Sequence, residues 1–263
     1  MKENYQKKLE QIISQKETQG MRLFLHSCCA PCSSYVLTYL REYFRITVFY
    51  YNPNITEDAE YHKRVEEQKR LIETLNREAA AADDKRKGAA AEAVDGERKG
   101  AAAEAADGEP GCDEVAASGA AGMCVPQGHA TPYRIEVIEG EYEPERFFHM
   151  AEGMEECPEG GERCFACFAL RLSETIKRAA EDGYDYAATT LTISPLKNAE
   201  KLNEIGEKLC ADTAVRWLPS DFKKRDGYKK SIELSKKYDL YRQDYCGCVY
   251  SKAERDKREN ERK

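Results

Sequence analysis

The chain lacks any run of about 18 apolar residues, which excludes a transmembrane helix. Its start, Met1 to Lys8, leads into no apolar stretch, so no secretory leader is expected and the chain reads as cytoplasmic. From Asn76 to Pro132 there is no Leu, Ile, Phe, Tyr or Trp, which excludes a packed core within that stretch. It holds a tandem repeat instead, Arg86 to Glu97 followed directly by Arg98 to Glu109, differing only at Val94 against Ala106. A unit this short, with one Val and two Gly, buries too little surface to offset its ordering entropy. Residues 76–132 are therefore expected to be a disordered insertion, with Gly88, Gly96, Gly100 and Gly108 limiting any helix to about two turns.

What the chain has in quantity is cysteine, eleven residues. An odd number of thiols in a reducing compartment argues for metal or redox chemistry over a disulfide framework.

Outside the insertion, strand and helix patterns alternate. Arg22–His26, Ile46–Tyr51, Tyr133–Ile138, Tyr186–Thr190 and Val215–Leu218 read as strands. Helices are expected around Leu9–Ile13, Tyr35–Tyr43, Glu57–Leu75, Glu145–Met150, after Cys164, from a Ser194-Pro195 cap to Cys210, and over Tyr228–Lys237. This alternation predicts an α/β fold of Rossmann-like class, an open, mostly parallel sheet flanked by helices. Residues 1–75 and 133–251 form one domain on this reading, and 252–263 a frayed, charged tail.

The cysteines fall into three stations. Cys28, Cys29 and Cys32 follow the first strand at a helix start, where open α/β sheets bind ligands and a helix N-terminus favours thiolate. Cys164 and Cys167 form a CxxC pair, a common metal-ligand spacing. Cys246 and Cys248 flank Gly247, which permits both thiolates to turn toward one site, and this CxC ends the last expected helical region. Thiolate softness favours zinc or iron–sulfur over magnesium or calcium. Cys210 is expected in the core, and Cys112, Cys124 and Cys157 in loops without a ligand role.

The blocks Leu25–Cys32, Phe49–Ile55, Glu60–Arg64, Glu139–Arg146, Glu162–Leu172, Thr189–Asn198, Leu218–Lys224 and Tyr241–Cys248 closely resemble the QueH-type epoxyqueuosine reductases, which are cobalamin-independent. The resemblance implies reduction of the epoxide of epoxyqueuosine in tRNA to the alkene of queuosine. It also implies a 4Fe–4S cluster, on Cys28, Cys29, Cys164 and Cys167, and a neighbouring mononuclear iron, on Cys32, Cys246 and Cys248. An external electron donor is needed, and the sequence does not name it. His26, Asp244 and Tyr245 are candidate proton donors by proximity. Tyr50, Asn52, Asn54, Thr190, Ser194 and Lys197, near strand ends, are candidates for holding the nucleoside.

The net charge of −7 suits a tRNA partner only once it is located. Lys223 to Lys263 carries 14 Lys/Arg against 8 Asp/Glu. Lys223, Lys224, Arg225, Lys229 and Lys230 are the candidate backbone contacts. Competing readings are a non-catalytic zinc or iron–sulfur protein and another cluster-dependent tRNA-modifying enzyme such as a thiolase. The thiolase reading lacks its Ser-Gly-Gly-x-Asp-Ser loop after the first strand, and the spacing is not the CxxxCxxC of a radical SAM enzyme.

Overall fold

The computed structural model describes residues 3–100 and 132–261, with side chains over 3–87 and 132–261. Five strands form one sheet: β1 (Arg22–His26), β2 (Arg45–Tyr50), β3 (Glu136–Glu139), β4 (Tyr186–Thr189) and β5 (Arg216–Trp217). Their order is β3-β2-β1-β4-β5 and every neighbouring pair is parallel. The chain winds outward from β1 to β3, then returns to β1's other side with β4. The gap beyond the carboxyl ends of β1 and β4 is thus a topological switch point, where sheets of this kind hold ligands.

Helices cover both faces, as parallel strands buried on both sides require. Helices α1 (Tyr5–Ile13), α2 (Ala30–Leu40), α3 (Asp58–Gly100) and α7 (Gly227–Lys237) pack on one face; α5 (Glu162–Glu181) and α6 (Ala199–Cys210) pack on the other. The alternation along β1 shows why. Leu23 and Leu25 join Leu37, Leu40, Leu71 and Ile72 in one core, while Phe24 joins Phe168, Leu172, Ile176 and Leu202 in the second. Cys210 is buried in that second core, as expected. The remaining helices are α4 (Pro144–Ala151) and α8 (Val249–Asn260).

Three boundaries differ from expectation. Helix α3 does not stop at Leu75 but continues to Gly100. Extending an existing helix through Ala-rich sequence avoids the nucleation cost, so Gly88 and Gly96 do not end it. Its part beyond Leu75 is also anchored: the Asn76 amide exchanges two hydrogen bonds with the Ile135 backbone, at 2.8 and 2.9 Å. Glu78 accepts from the Tyr238 hydroxyl at 2.7 Å. The segment beginning at Asn76 therefore starts inside the domain; Cys112 and Cys124 lie outside the described residues.

Ser194 does not cap α6. A 3₁₀ turn, Thr190–Ile193, follows β4, and Ser194 Oγ accepts only from Leu196 N. The N-cap is Asn198, whose side chain accepts from Lys201 N at 3.0 Å. Finally, Cys246 and Cys248 precede a helix instead of ending the last one, and most of the expected tail is that helix, α8. Arg255 pairs with Asp244 at 2.8 Å, and Arg163 with Glu254 at 3.8 Å, which tie α8 to the domain.

Candidate metal centre

Parallel register puts His26 level with Thr189, so the chain leaves β1 and β4 side by side. After β1, Ser27 and Cys28 lead to Cys29, the N-cap of α2, with Pro31 in the helix's first turn and Cys32 one residue on. The three thiol sulfurs of Cys28, Cys29 and Cys32 lie within 4.8 Å of one another, and Cys28 and Cys29 are 3.7 Å apart. Thr190, just after β4, supports this turn: its hydroxyl accepts from Cys28 N at 3.4 Å and lies 3.7 Å from the Cys28 sulfur. Hydrogen bonds from Cys29 and Cys32 hold the Cys28 thiol well below its ordinary range. The contact with Cys28, from the other side, pushes Cys29 up to about 12, and contacts with Cys28 and Cys29 hold Cys32 well above its ordinary range. One thiolate shared by three sulfurs is a ligand set prepared for a soft cation.

The second station sits at the start of α5. Cys164 Sγ accepts from Gly160 N at 3.2 Å, and Cys167 is buried with Phe147 and Cys248. Burial, before any other influence, raises both thiols, Cys167 to about 12. The third station follows the loop after α7. Cys248 caps α8 through its sulfur, which accepts from Ser251 N at 3.4 Å. Gly247 has φ +119°, and a Cβ there would lie 2.9 Å from Ile55, so the CxC turn depends on glycine. Cys246 is within 3.9 Å of the Asn54 amide.

A cavity of about 150 Å³ opens where the first and third stations meet. Cys28, Cys32, Cys246, Ser194, Lys197, Asp244 and Tyr245 all line it. Lys197 is half-buried; burial works against its charge, but Cys246, Cys28 and Cys32 hold its pKa above the ordinary lysine value. Tyr245 lies between two guanidinium groups, those of Arg64 and Arg255, 5.4 and 4.8 Å from its ring centre. Asp244 is paired with Arg255.

The other expected site residues lie elsewhere. His26 is fully buried and outside the cavity lining. Burial, with the Arg171 charge, pushes its pKa down to about 3, so the ring is neutral. Its Nε2 lies 3.3 Å from Arg171 Nε and 3.2 Å from the Tyr51 carbonyl oxygen, and its Nδ1 lies 2.9 Å from the Thr189 hydroxyl. Tyr50 and Asn52 are buried too; the Asn52 amide donates to Ser27 O at 2.8 Å and its oxygen accepts from Arg171. Among the basic candidates, Arg225 is engaged with Glu10 through two hydrogen bonds and Lys223 with Asp221, while Lys224, Lys229 and Lys230 are exposed.

Two residues emerge that the spacing of cysteines alone did not single out. Arg64, on α3, donates to the Cys246 carbonyl at 3.1 Å. Arg171, one turn past Cys167 on α5, is the largest fully buried side chain. The signal for Arg171 was its place on the Cys164–Cys167 face at helical spacing.

A family model for the epoxyqueuosine reductase QueH matches residues 23–105 and 125–254. The chain belongs to the QueH family. It is 37% identical to the epoxyqueuosine reductase QueH of Staphylococcus epidermidis over 252 residues, covering 94% of this chain and 84% of that protein. Its likeness to the Thermotoga maritima enzyme of the same name is 27% over 236 residues, 89% of this chain and 91% of that one. All seven cysteines of the three stations fall inside the matched residues, as do Arg64 and Arg171. The unmatched stretch between the two parts, 106–124, is shorter than the 76–132 segment expected to be inserted.

Proposed function

We propose that this chain reduces epoxyqueuosine in tRNA to queuosine, converting the epoxide to an alkene with two electrons and two protons and releasing water. The observation that carries this reading is the family match together with a cavity in which thiols, Lys197, Asp244 and Tyr245 converge. The donor set fits a soft metal: three thiols lie within 4.8 Å, Cys246 lines the same cavity, and the buried donor Arg171 Nη1 has no partner in the protein. We assign Cys28, Cys29, Cys164 and Cys167 to a 4Fe–4S cluster and Cys32, Cys246 and Cys248 to an adjacent iron. When bound, this centre supplies electrons one at a time and a Lewis-acidic position for the epoxide oxygen.

The chain's own residues do the rest. Lys197 places a positive charge beside the thiols at the cavity wall. Tyr245 lines the cavity and hands a proton to the departing oxygen on this reading; Asp244 lines it too, as a carboxylate paired with Arg255. His26, neutral and walled off, holds Arg171 and Thr189 instead. Ser194, in the cavity lining, is left to orient the nucleoside, while Thr190 is buried against Cys28; Asn54, with a buried oxygen lacking a partner, faces Cys246. Lys224, Lys229 and Lys230 are exposed for tRNA phosphates. The electron donor is external, and a tRNA substrate places the reaction in the cytoplasm.

A single soft ion such as zinc is the second reading, favoured by the Cys28–Cys29 separation. Two sulfurs on one tetrahedral ion lie about 3.8 Å apart. Iron, sulfide and zinc assays after anaerobic purification separate the two. Epoxyqueuosine-tRNA, incubated with the loaded protein and a chemical reductant, should yield queuosine by nucleoside mass spectrometry. No queuosine from protein with full iron and sulfide content overturns the assignment.

A further inference from the structure

Arg171 is 1% exposed, yet carries a charge that no carboxylate neutralises among the described residues. Burying an uncompensated guanidinium is costly, so something negative must face it. Its Nε goes to His26 at the end of β1 and its Nη2 to Asn52 beyond β2, both neutral. Its Nη1 has no hydrogen-bond partner in the protein. Burial works against the charge, and the groups that sustain it are Cys167, Cys246 and Cys28, one from each cysteine station. Helix α5 accounts for the placement, since Arg171 follows Cys167 by four residues and lies over the same face. His26 and Asn52 then aim the guanidinium along the carboxyl edge of the sheet.

Resting on the iron–sulfur reading above, we propose that Arg171 is the central counter-charge of the metal centre and sets its reduction potential. Nη1, without a partner in the protein, is free to face the centre, and the fixed positive charge favours whichever oxidation state is more negative. Adding an electron to a thiolate-bound centre increases its negative charge, so Arg171 raises the potential. Lys197 stands at the cavity wall, only partly buried; Arg171 is enclosed, and water screens its field less. Arg171 acts through the centre and is a positioning residue, without contact to substrate.

The test is the midpoint potential of the anaerobically loaded, full-length protein, followed by its visible absorption during reductive titration. Arg171→Gln should reduce the reduced-to-oxidised ratio at fixed potential at least tenfold, a fall of 59 mV or more for one electron. Arg171→Lys, which retains the charge, should stay within a few-fold of wild type. Asn52→Leu removes a brace but leaves the charge, and should also stay close to wild type. Unchanged potential in Arg171→Gln with wild-type iron and sulfide overturns the proposal. If Arg171→Gln does not load, the remaining pair decides: a fall in Asn52→Leu or Arg171→Lys of tenfold or more shows a brace, and overturns it. Absence of iron and sulfide from the wild-type protein defeats the underlying reading first, a result distinct from any of these.

Discussion

Arg64 Nη1 donates to the backbone carbonyl of Cys246 at 3.1 Å, joining a helix near the chain's start to the last cysteine station. The same guanidinium pairs with Glu60 at 2.7 Å, with Arg64 2% and Glu60 11% exposed. A rigid helix thereby holds a loop that carries two candidate ligands.

Arg64→Met leaves the partly buried Glu60 with only the Tyr241 hydroxyl and the Cys246 carbonyl without its donor, and Arg64 itself is the buried member of the pair. Breaking a buried pair this way costs about 3 kcal/mol or more. Chemical denaturation should show that loss, and iron content per chain should fall with it. A variant with wild-type stability and metal content removes Arg64 from this role.

Gly247→Ala puts a side chain at φ +119°, with its Cβ 2.9 Å from Ile55. Strain of this kind costs about 1–3 kcal/mol. Thermal unfolding should shift down by several degrees, and turnover should fall further than stability because Cys246 and Cys248 no longer converge.

Serine at Cys28, Cys29 or Cys32 should lower bound metal, each removing one of three sulfurs within 4.8 Å. Cys210→Ala should keep full iron and sulfide, since its thiol is enclosed by the second core. Burial raises that thiol to about 12, so Cys210 should also resist alkylation at pH 8 in the folded protein. Elemental analysis and mass spectrometry of labelled cysteines read both outcomes.

Glu67 ties α3 to the segment before the third station, accepting from Tyr241 N at 2.7 Å. Burial pushes its carboxyl up, but Arg70, Tyr241 and Lys63 together bring it below the ordinary 4.5. A carboxyl lowered by folding stabilises the protein above its unfolded value and loses that contribution as the pH falls through the folded one. Glu67→Gln should therefore be less stable than wild type near neutrality. The gap should close as the pH drops below about 4.5, as followed by urea midpoints. A gap independent of pH would show that the charge of Glu67 contributes nothing.

Deleting residues 106–124 should leave turnover and metal content unchanged, because the family model matches on either side and not within. A deletion that begins at Asn76 should destabilise, because it removes the Asn76–Ile135 and Glu78–Tyr238 hydrogen bonds. Thermal unfolding of the two deletions, side by side, distinguishes them.

The α/β class, the five strands and the three cysteine stations were all legible, because periodicity and spacing are local properties of the chain. Boundaries were less so. Ser194-Pro195 is a good cap locally, but the turn after β4 folds back over the Cys28 loop and the helix waits for Asn198. Composition set a break at Asn76; the packing of Asn76 and Glu78 against β3 and α7 moved it, since one helix already nucleated extends cheaply. His26 was a candidate proton donor by proximity alone, with a structural strand-end role equally open, and burial with the Arg171 contact favours the structural one.

By itself, the sequence determined which atoms are available: seven clustered thiols, a helix-breaking glycine between two of them, and no apolar segment able to leave water. Tertiary structure decided which of those atoms meet. The return of the chain to β4 beside β1 brings Thr190 to Cys28, α3 brings Arg64 to Cys246, and α5 brings Arg171 to His26. These encounters join residues more than 140 positions apart, and no local preference encodes them. They follow from the burial of two apolar layers on a parallel sheet, which sets the strand order and with it the position of every loop at the sheet's carboxyl edge.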